Sequence, residues 1–187
     1  EIFSKEELIG AFDISRIQVS GAQAGQEKLD WINREHIKKL SPEELQKNIF
    51  EWLPEKMRNP GILPVITERI YKWGDVRAMA DRGELDVFFQ APAVDKAKLP
   101  YKGSSPEETK LNLEKVISAL ENIDAKDFTL DAVKRILMDL SAEMPSRGAI
   151  LHPVRYALSG RDQSPDPFTI ASVIGKDETI SRLQKAL

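Results

Sequence analysis

Between Ser146 and Arg161 the chain places Arg147, His152, Arg155 and Arg161 without one acidic residue, although the whole sequence holds 30 Asp and Glu against 27 Lys and Arg. A local positive stretch in a chain of net charge −3 suits a confined contact with RNA. It equally describes a solvated helix face with ordinary arginines. Directly after it come Gly160, a natural helix stop, and the run Ser164-Pro165-Asp166-Pro167-Phe168. Ser164 is placed to cap a helix that begins at Pro165. Pro165 and Pro167 lack N–H groups, so such a helix start is a poor cradle for phosphate. It offers instead a hydroxyl, rigid rings and an aromatic side chain, a surface of the kind that reads unstacked bases by stacking and hydrogen bonding. The same residues can also serve as cap and core, with Phe168, Val173 and Ile174 turned inward.

Two segments of the first half carry related chemistry. Lys28-Leu29-Asp30-Trp31-Ile32-Asn33 sets a large aromatic among polar residues on one helix, where Trp31 is expected in the core. Glu68-Arg69-Ile70-Tyr71-Lys72-Trp73 sets two cations beside two aromatics. Arg69 can read a base edge with its planar fork, or pair with Glu68 or another carboxylate.

No catalytic constellation is present: the sequence has no phosphate-binding glycine loop, no nucleophile elbow and no His-Glu-x-x-His pair. The absence of cysteine excludes disulfides, thiol catalysis and thiolate metal sites, and His36 and His152 stand far apart without a ligand cluster. No catalytic residue, metal or cofactor is therefore expected in this chain. The carboxylate pairs Glu43/Glu44 and Glu107/Glu108 are explained by helix starts rather than acid/base work. No run is apolar for long enough to cross a bilayer. The net negative charge argues against binding nucleic acid, DNA included, by bulk electrostatics, so any RNA contact must be local and shaped.

The elements that would position these residues are helices. Ser4-Lys5-Glu6-Glu7, Ser41-Pro42-Glu43-Glu44 and Ser105-Pro106-Glu107-Glu108 each place a hydroxyl at the N-cap and a carboxylate three residues on, which is a capping box. Leu113, Val116, Ile117 and Leu120 then recur at helical spacing, as do Leu130, Val133, Leu137, Leu140 and Met144. Ile180, Leu183 and Leu187 repeat the pattern after Asp177, a further cap candidate. Only Leu85–Phe89 has a strand-like composition, so an all-α protein of about ten helices is expected. The segment 91–104, rich in Pro, Gly and Lys, reads as a linker between two helical subdomains, 1–95 and 104–187. Glu1-Ile2-Phe3, with neither a Met nor a signal pattern, reads as a fragment boundary.

As a set, these residues resemble the C-terminal anticodon-binding region of bacterial-type glutamyl-tRNA synthetases. Phe3 to Phe12, Lys28–Asn33, Thr67-Glu68-Arg69 with Asp75, and Phe88-Phe89 are similar to successive blocks of that family. His152-Pro153-Val154-Arg155-Tyr156-Ala157-Leu158-Ser159-Gly160, Ser164-Pro165-x-Pro167-Phe168, Ile174-Gly175-Lys176 and Arg182-Leu183 complete the likeness, which spans nearly the whole chain. The resemblance implies a helical anticodon-binding region of two subdomains, an α-helix cage. It implies that Arg155 contacts an anticodon base. Ser164, Pro165, Pro167 and Phe168 would form the platform for the middle base, and Arg69 would read the third and favour a discriminating enzyme. Pro167 stands where many members have leucine, and Ser164 where some have threonine. The partner so implied is the anticodon loop of glutamate tRNA, bound by a monomeric cytoplasmic protein. ATP and magnesium would serve the full-length ligase, whose catalytic half is not in these residues, so the fragment alone would be inactive. The alternatives are the anticodon domain of a class I lysyl-tRNA synthetase and a helical protein-interaction scaffold.

Overall fold

The computed structural model describes residues 2–17, 21 and 25–187, and among them the secondary structure is α-helices and short 3-10 turns with no strand. The chain divides into two compact units, Glu1–Arg82 and Gly83–Leu187. The division falls ahead of the 91–104 segment read as a linker, which lies inside the second unit.

The first unit contains α1 (Lys5–Ala11), α2 (Gln26–Lys38), α3 (Pro42–Trp52), α4 (Leu63–Thr67) and α5 (Trp73–Asp81). The boxes at Ser4 and Ser41 close as the sequence requires: each hydroxyl accepts the N–H three residues on, and Glu7 and Glu44 return a carboxylate to the cap N–H. Helix α3 packs on α5, and Ile49, Ile62, Ile66, Ile70 and Val76 form a fully enclosed core. Helix α1 contributes no buried residue. Trp31, expected in the core, lies on the outer side of α2 with 43% of its surface exposed.

The second unit is a bundle of α6 (Pro106–Glu121), α7 (Leu130–Ala142), α8 (Gly148–Ser159), α9 (Pro167–Ile174) and α10 (Lys176–Ala186). Helix α8 is its axis, packed against each of the other four. Its apolar residues surround it, as burial on all sides demands: Ala149, Ile150, Val154, Tyr156, Ala157 and Leu158 are all enclosed. Enclosing Ile150, Val154 and Leu158 stabilises by roughly 1.5–3 kcal/mol each. That outweighs the roughly 1 kcal/mol typical of a helix cap, so packing rather than propensity holds α8 in place. The strand-like Leu85–Phe89 forms instead a 3-10 turn at Asp86–Phe88, whose Val87 and Phe88 are buried and which packs on α9.

The 91–104 segment is anchored on α8. Leu99 is buried, and the Lys98 carbonyl accepts from His152 Nε2 at 3.0 Å. The Tyr101 ring lies so close over Gly148 that a Cβ there would stand 2.4 Å from it.

Candidate nucleic-acid interface

Five of the six residues singled out from the sequence lie in the second unit, on helices α8 and α9, which pack together, and on the loop that joins them. Arg155 sits on α8, half-buried, and its Nε is buried without a hydrogen-bond partner. Among the described residues no carboxylate pairs with its guanidinium. A guanidinium nitrogen buried without an acceptor is costly, and no hydrogen bond within the helix bundle offsets that cost for Arg155.

The chain leaves α8 through a tight exit. Gly160 takes the left-handed conformation at φ +63°, and a Cβ there would come within 2.8 Å of the Ala93 carbonyl. Ser159 secures the exit from inside: its hydroxyl donates to the Arg155 carbonyl at 2.7 Å and accepts the Arg161 N–H at 3.2 Å. The loop then reaches Ser164, whose hydroxyl donates to the Pro165 carbonyl at 3.0 Å.

Helix α9 begins two residues later than the sequence reading placed it. Asp166, not Ser164, is the cap, and Pro167, not Pro165, is the first helical residue. Asp166 accepts both the N–H of Thr169 at 2.8 Å and its hydroxyl at 2.7 Å, a two-point cap that Ser164 cannot match. Ser164 and Pro165 are thereby left as half-buried loop residues, free of capping work. The Pro167 ring is buried and roots the start of α9, while Phe168 is half-buried with Lys134 of α7 6.0 Å above its ring. Ser164, Pro165 and Phe168 therefore provide the accessible part of this edge.

Arg69 belongs to the first unit, exposed in the turn between α4 and α5. That turn is tied down by Asp75, whose carboxylate accepts the N–H groups of Tyr71 at 2.8 Å and Lys72 at 3.1 Å. Ile66 and Ile70 on either side are fully buried and fix where the turn emerges.

Three structural cations escaped the sequence reading because their partners are distant carbonyls. Arg182 of α10, 3% exposed, donates to the carbonyls of Val87 at 2.7 Å and Leu158 at 2.9 Å, and to Glu178 at 2.7 Å. Lys176 donates to the carbonyls of Glu121 and Ile123 at the end of α6, where a cation complements the helix dipole. Helix α10 starts at Lys176 after Gly175, so the expected cap at Asp177 is already inside the helix. Arg34 of α2 donates to the Glu68 carbonyl at 2.7 Å. His152 is absorbed by packing, its ring lying between those of Tyr101 and Tyr156. Among the described residues no cluster of His, Asp or Glu could hold a metal, and no helix is long and apolar enough to cross a membrane.

The sequence pattern of the anticodon binding domain family matches residues 16–187. The chain is 36% identical, over its full length, to a glutamate–tRNA ligase of Flavobacterium johnsoniae, of which it covers 37%. It is 31% identical to that of Clostridium botulinum, again over its full length and covering 39% of the relative. A crystal structure of a glutamate tRNA ligase from Elizabethkingia meningosepticum, in complex with its amino acid, superposes with a TM-score of 0.75 at 26% identity over 98% of this chain and 36% of that one. The chain thus spans well under half the length of the curated relatives it matches. With an all-α fold, a family pattern running from residue 16 to its last residue and relatives of one kind along its whole length, the chain belongs to the anticodon-binding domain family, in the form found in glutamate–tRNA ligases.

Proposed function

We propose that this chain recognises the anticodon of glutamate tRNA on behalf of a glutamate–tRNA ligase. The observation that carries the reading is the match of residues 16–187 to the anticodon binding domain family, with Arg155 half-exposed on the central helix of its second unit. Arg155 contacts an anticodon base; Ser164, Pro165 and Phe168, rooted by Pro167, form the edge for the middle base; Arg69 reads the third. Phosphate contacts by neighbouring Lys and Arg set the register of the loop, and the base contacts specify it. Attachment of glutamate, with ATP and magnesium, belongs to the remainder of the ligase. The whole acts as a cytoplasmic monomer.

The test is binding of this chain to a glutamate tRNA transcript at low salt, beside the same transcript with its third anticodon base changed from C to G and a lysine tRNA transcript. Preference for the first, reduced by Arg155→Gln by about 1–3 kcal/mol, supports the reading. Equal binding to all three overturns anticodon readout by this chain, and preference for the lysine transcript redirects it to a lysyl-tRNA ligase.

A further inference from the structure

Arg34 lies on α2, remote in sequence from the turn that bears Arg69, yet it grips the same peptide unit. Its Nη2 donates to the carbonyl of Glu68 at 2.7 Å. That carbonyl and the N–H of Arg69 are the two polar ends of one rigid peptide plane. The N–H end is already held, donating to the Ile66 carbonyl at 2.9 Å. Arg34 thus closes the second end, and the plane from which the Arg69 side chain departs is fixed on both sides.

The guanidinium of Arg34 also lies over the ring of Tyr71, 5.1 Å from its centroid, with Nη1 3.5 Å from the Tyr71 hydroxyl. The latter is a long, weak bond. Residues 68 and 71 are therefore held by one planar group, which a point charge could not do. The Nε of Arg34 is buried with no hydrogen-bond partner, so its polar contacts run through the two terminal nitrogens. Lys72 and Asp30 approach from the same two elements at 3.9 Å, but at that distance, with the Lys72 ammonium exposed, they add little.

We infer that Arg34 is a positioning residue for third-base discrimination, acting by fixing the Glu68–Arg69 peptide plane through the Glu68 carbonyl and the Tyr71 ring. The inference rests on the reading of Arg69 given above. A reading group held off its productive geometry loses the base contacts that specify while the phosphate contacts that position remain, so a brace of this kind acts on selectivity more than on affinity.

The experiment measures, for the whole chain, the ratio of affinities for glutamate tRNA transcripts carrying C or G at the third anticodon base, together with the thermal midpoint. Arg69→Gln reports on the underlying reading, and Arg34→Met on the brace. The expected result is a ratio lowered about fivefold or more in both variants, the low end of base discrimination by an arginine. Arg34→Lys keeps the charge but cannot bond the carbonyl and lie flat on the ring together. It should fall between the parent and Arg34→Met, and it decides the matter if Arg34→Met does not fold. A parent chain without preference, or an Arg69→Gln variant that keeps it, overturns the reading and the brace with it. Loss in Arg69→Gln with the parent ratio retained in folded Arg34→Met, or in Arg34→Lys, overturns the brace alone. A lowered midpoint with an unchanged ratio identifies Arg34 as merely structural and equally overturns it.

Discussion

Asn112 of α6 supplies the hydrogen bond that Pro153 of α8 takes away. Proline has no N–H, so its presence inside α8 leaves the carbonyl four residues earlier, that of Ala149, without its helical donor. The buried Nδ2 of Asn112 donates to that carbonyl at 3.3 Å. A polar residue in the apolar face of α6 is thereby explained by a defect in another helix, and the two residues form one energetic unit.

This pairing predicts a coupled double-mutant cycle. Asn112→Ala strands a buried carbonyl and should cost about 1–3 kcal/mol. In a Pro153→Ala background the new N–H can serve Ala149, so the same substitution should cost distinctly less. Urea unfolding of the four chains measures the coupling; additive costs would show that the two sites are independent.

Gly160 should tolerate no side chain, for two separable reasons. Its left-handed backbone disfavours any Cβ, and a Cβ there meets the Ala93 carbonyl at 2.8 Å. Gly160→Ala is expected to cost about 1–3 kcal/mol or more. Asn accepts left-handed backbone better than Ala but has the same Cβ. Thermal midpoints equal for Gly160→Asn and Gly160→Ala would assign the cost to the close approach, and a partial recovery in Asn to the backbone.

Arg182 should behave as a structural residue without touching RNA. Arg182→Leu keeps apolar bulk but leaves the carbonyls of Val87 and Leu158 without their donor, one of them at the end of α8. The expected loss is about 2–4 kcal/mol. Glu178 is 40% exposed and can be rehydrated, so the cost should stay below that of stranding a fully buried charge. A shifted urea midpoint with an unchanged slope is the expected result, and an unshifted midpoint would refute the role.

The Ser41 cap should be visible in a titration. The N–H of Ser41 and then its hydroxyl hold the Glu44 carboxyl below the usual glutamate range. A depressed folded-state value means the carboxylate form favours the fold. That contribution is present above the ordinary glutamate range and is lost as pH falls through the lowered value. Carboxyl NMR titration should place Glu44 below an exposed glutamate, and Ser41→Ala should raise it; an unmoved value would show that the hydroxyl has no part in the effect.

What the sequence determined by itself is local. The boxes at Ser4, Ser41 and Ser105 form where they were read, because cap and carboxylate are three residues apart and need no third party. The periodic face of Leu113, Val116, Ile117 and Leu120 is buried for the same reason, since helical spacing alone aligns it. Where two local signals compete, sequence spacing does not rank them: Ser164 and Asp166 are each followed by proline, and Thr169 decides for Asp166 by giving it two donors. The apolar run Leu85–Phe89 has strand composition but no strand to pair with among the described residues, and its Val87 carbonyl goes to Arg182 instead. The exposure of Trp31, the seating of Tyr101 over Gly148 and the grip of Arg34 on Glu68 were decided only by the tertiary structure. Each depends on a surface or a carbonyl from a distant part of the chain. A backbone carbonyl is the same acceptor in every residue type, so a cation bound for one leaves no trace in the letters of its partner.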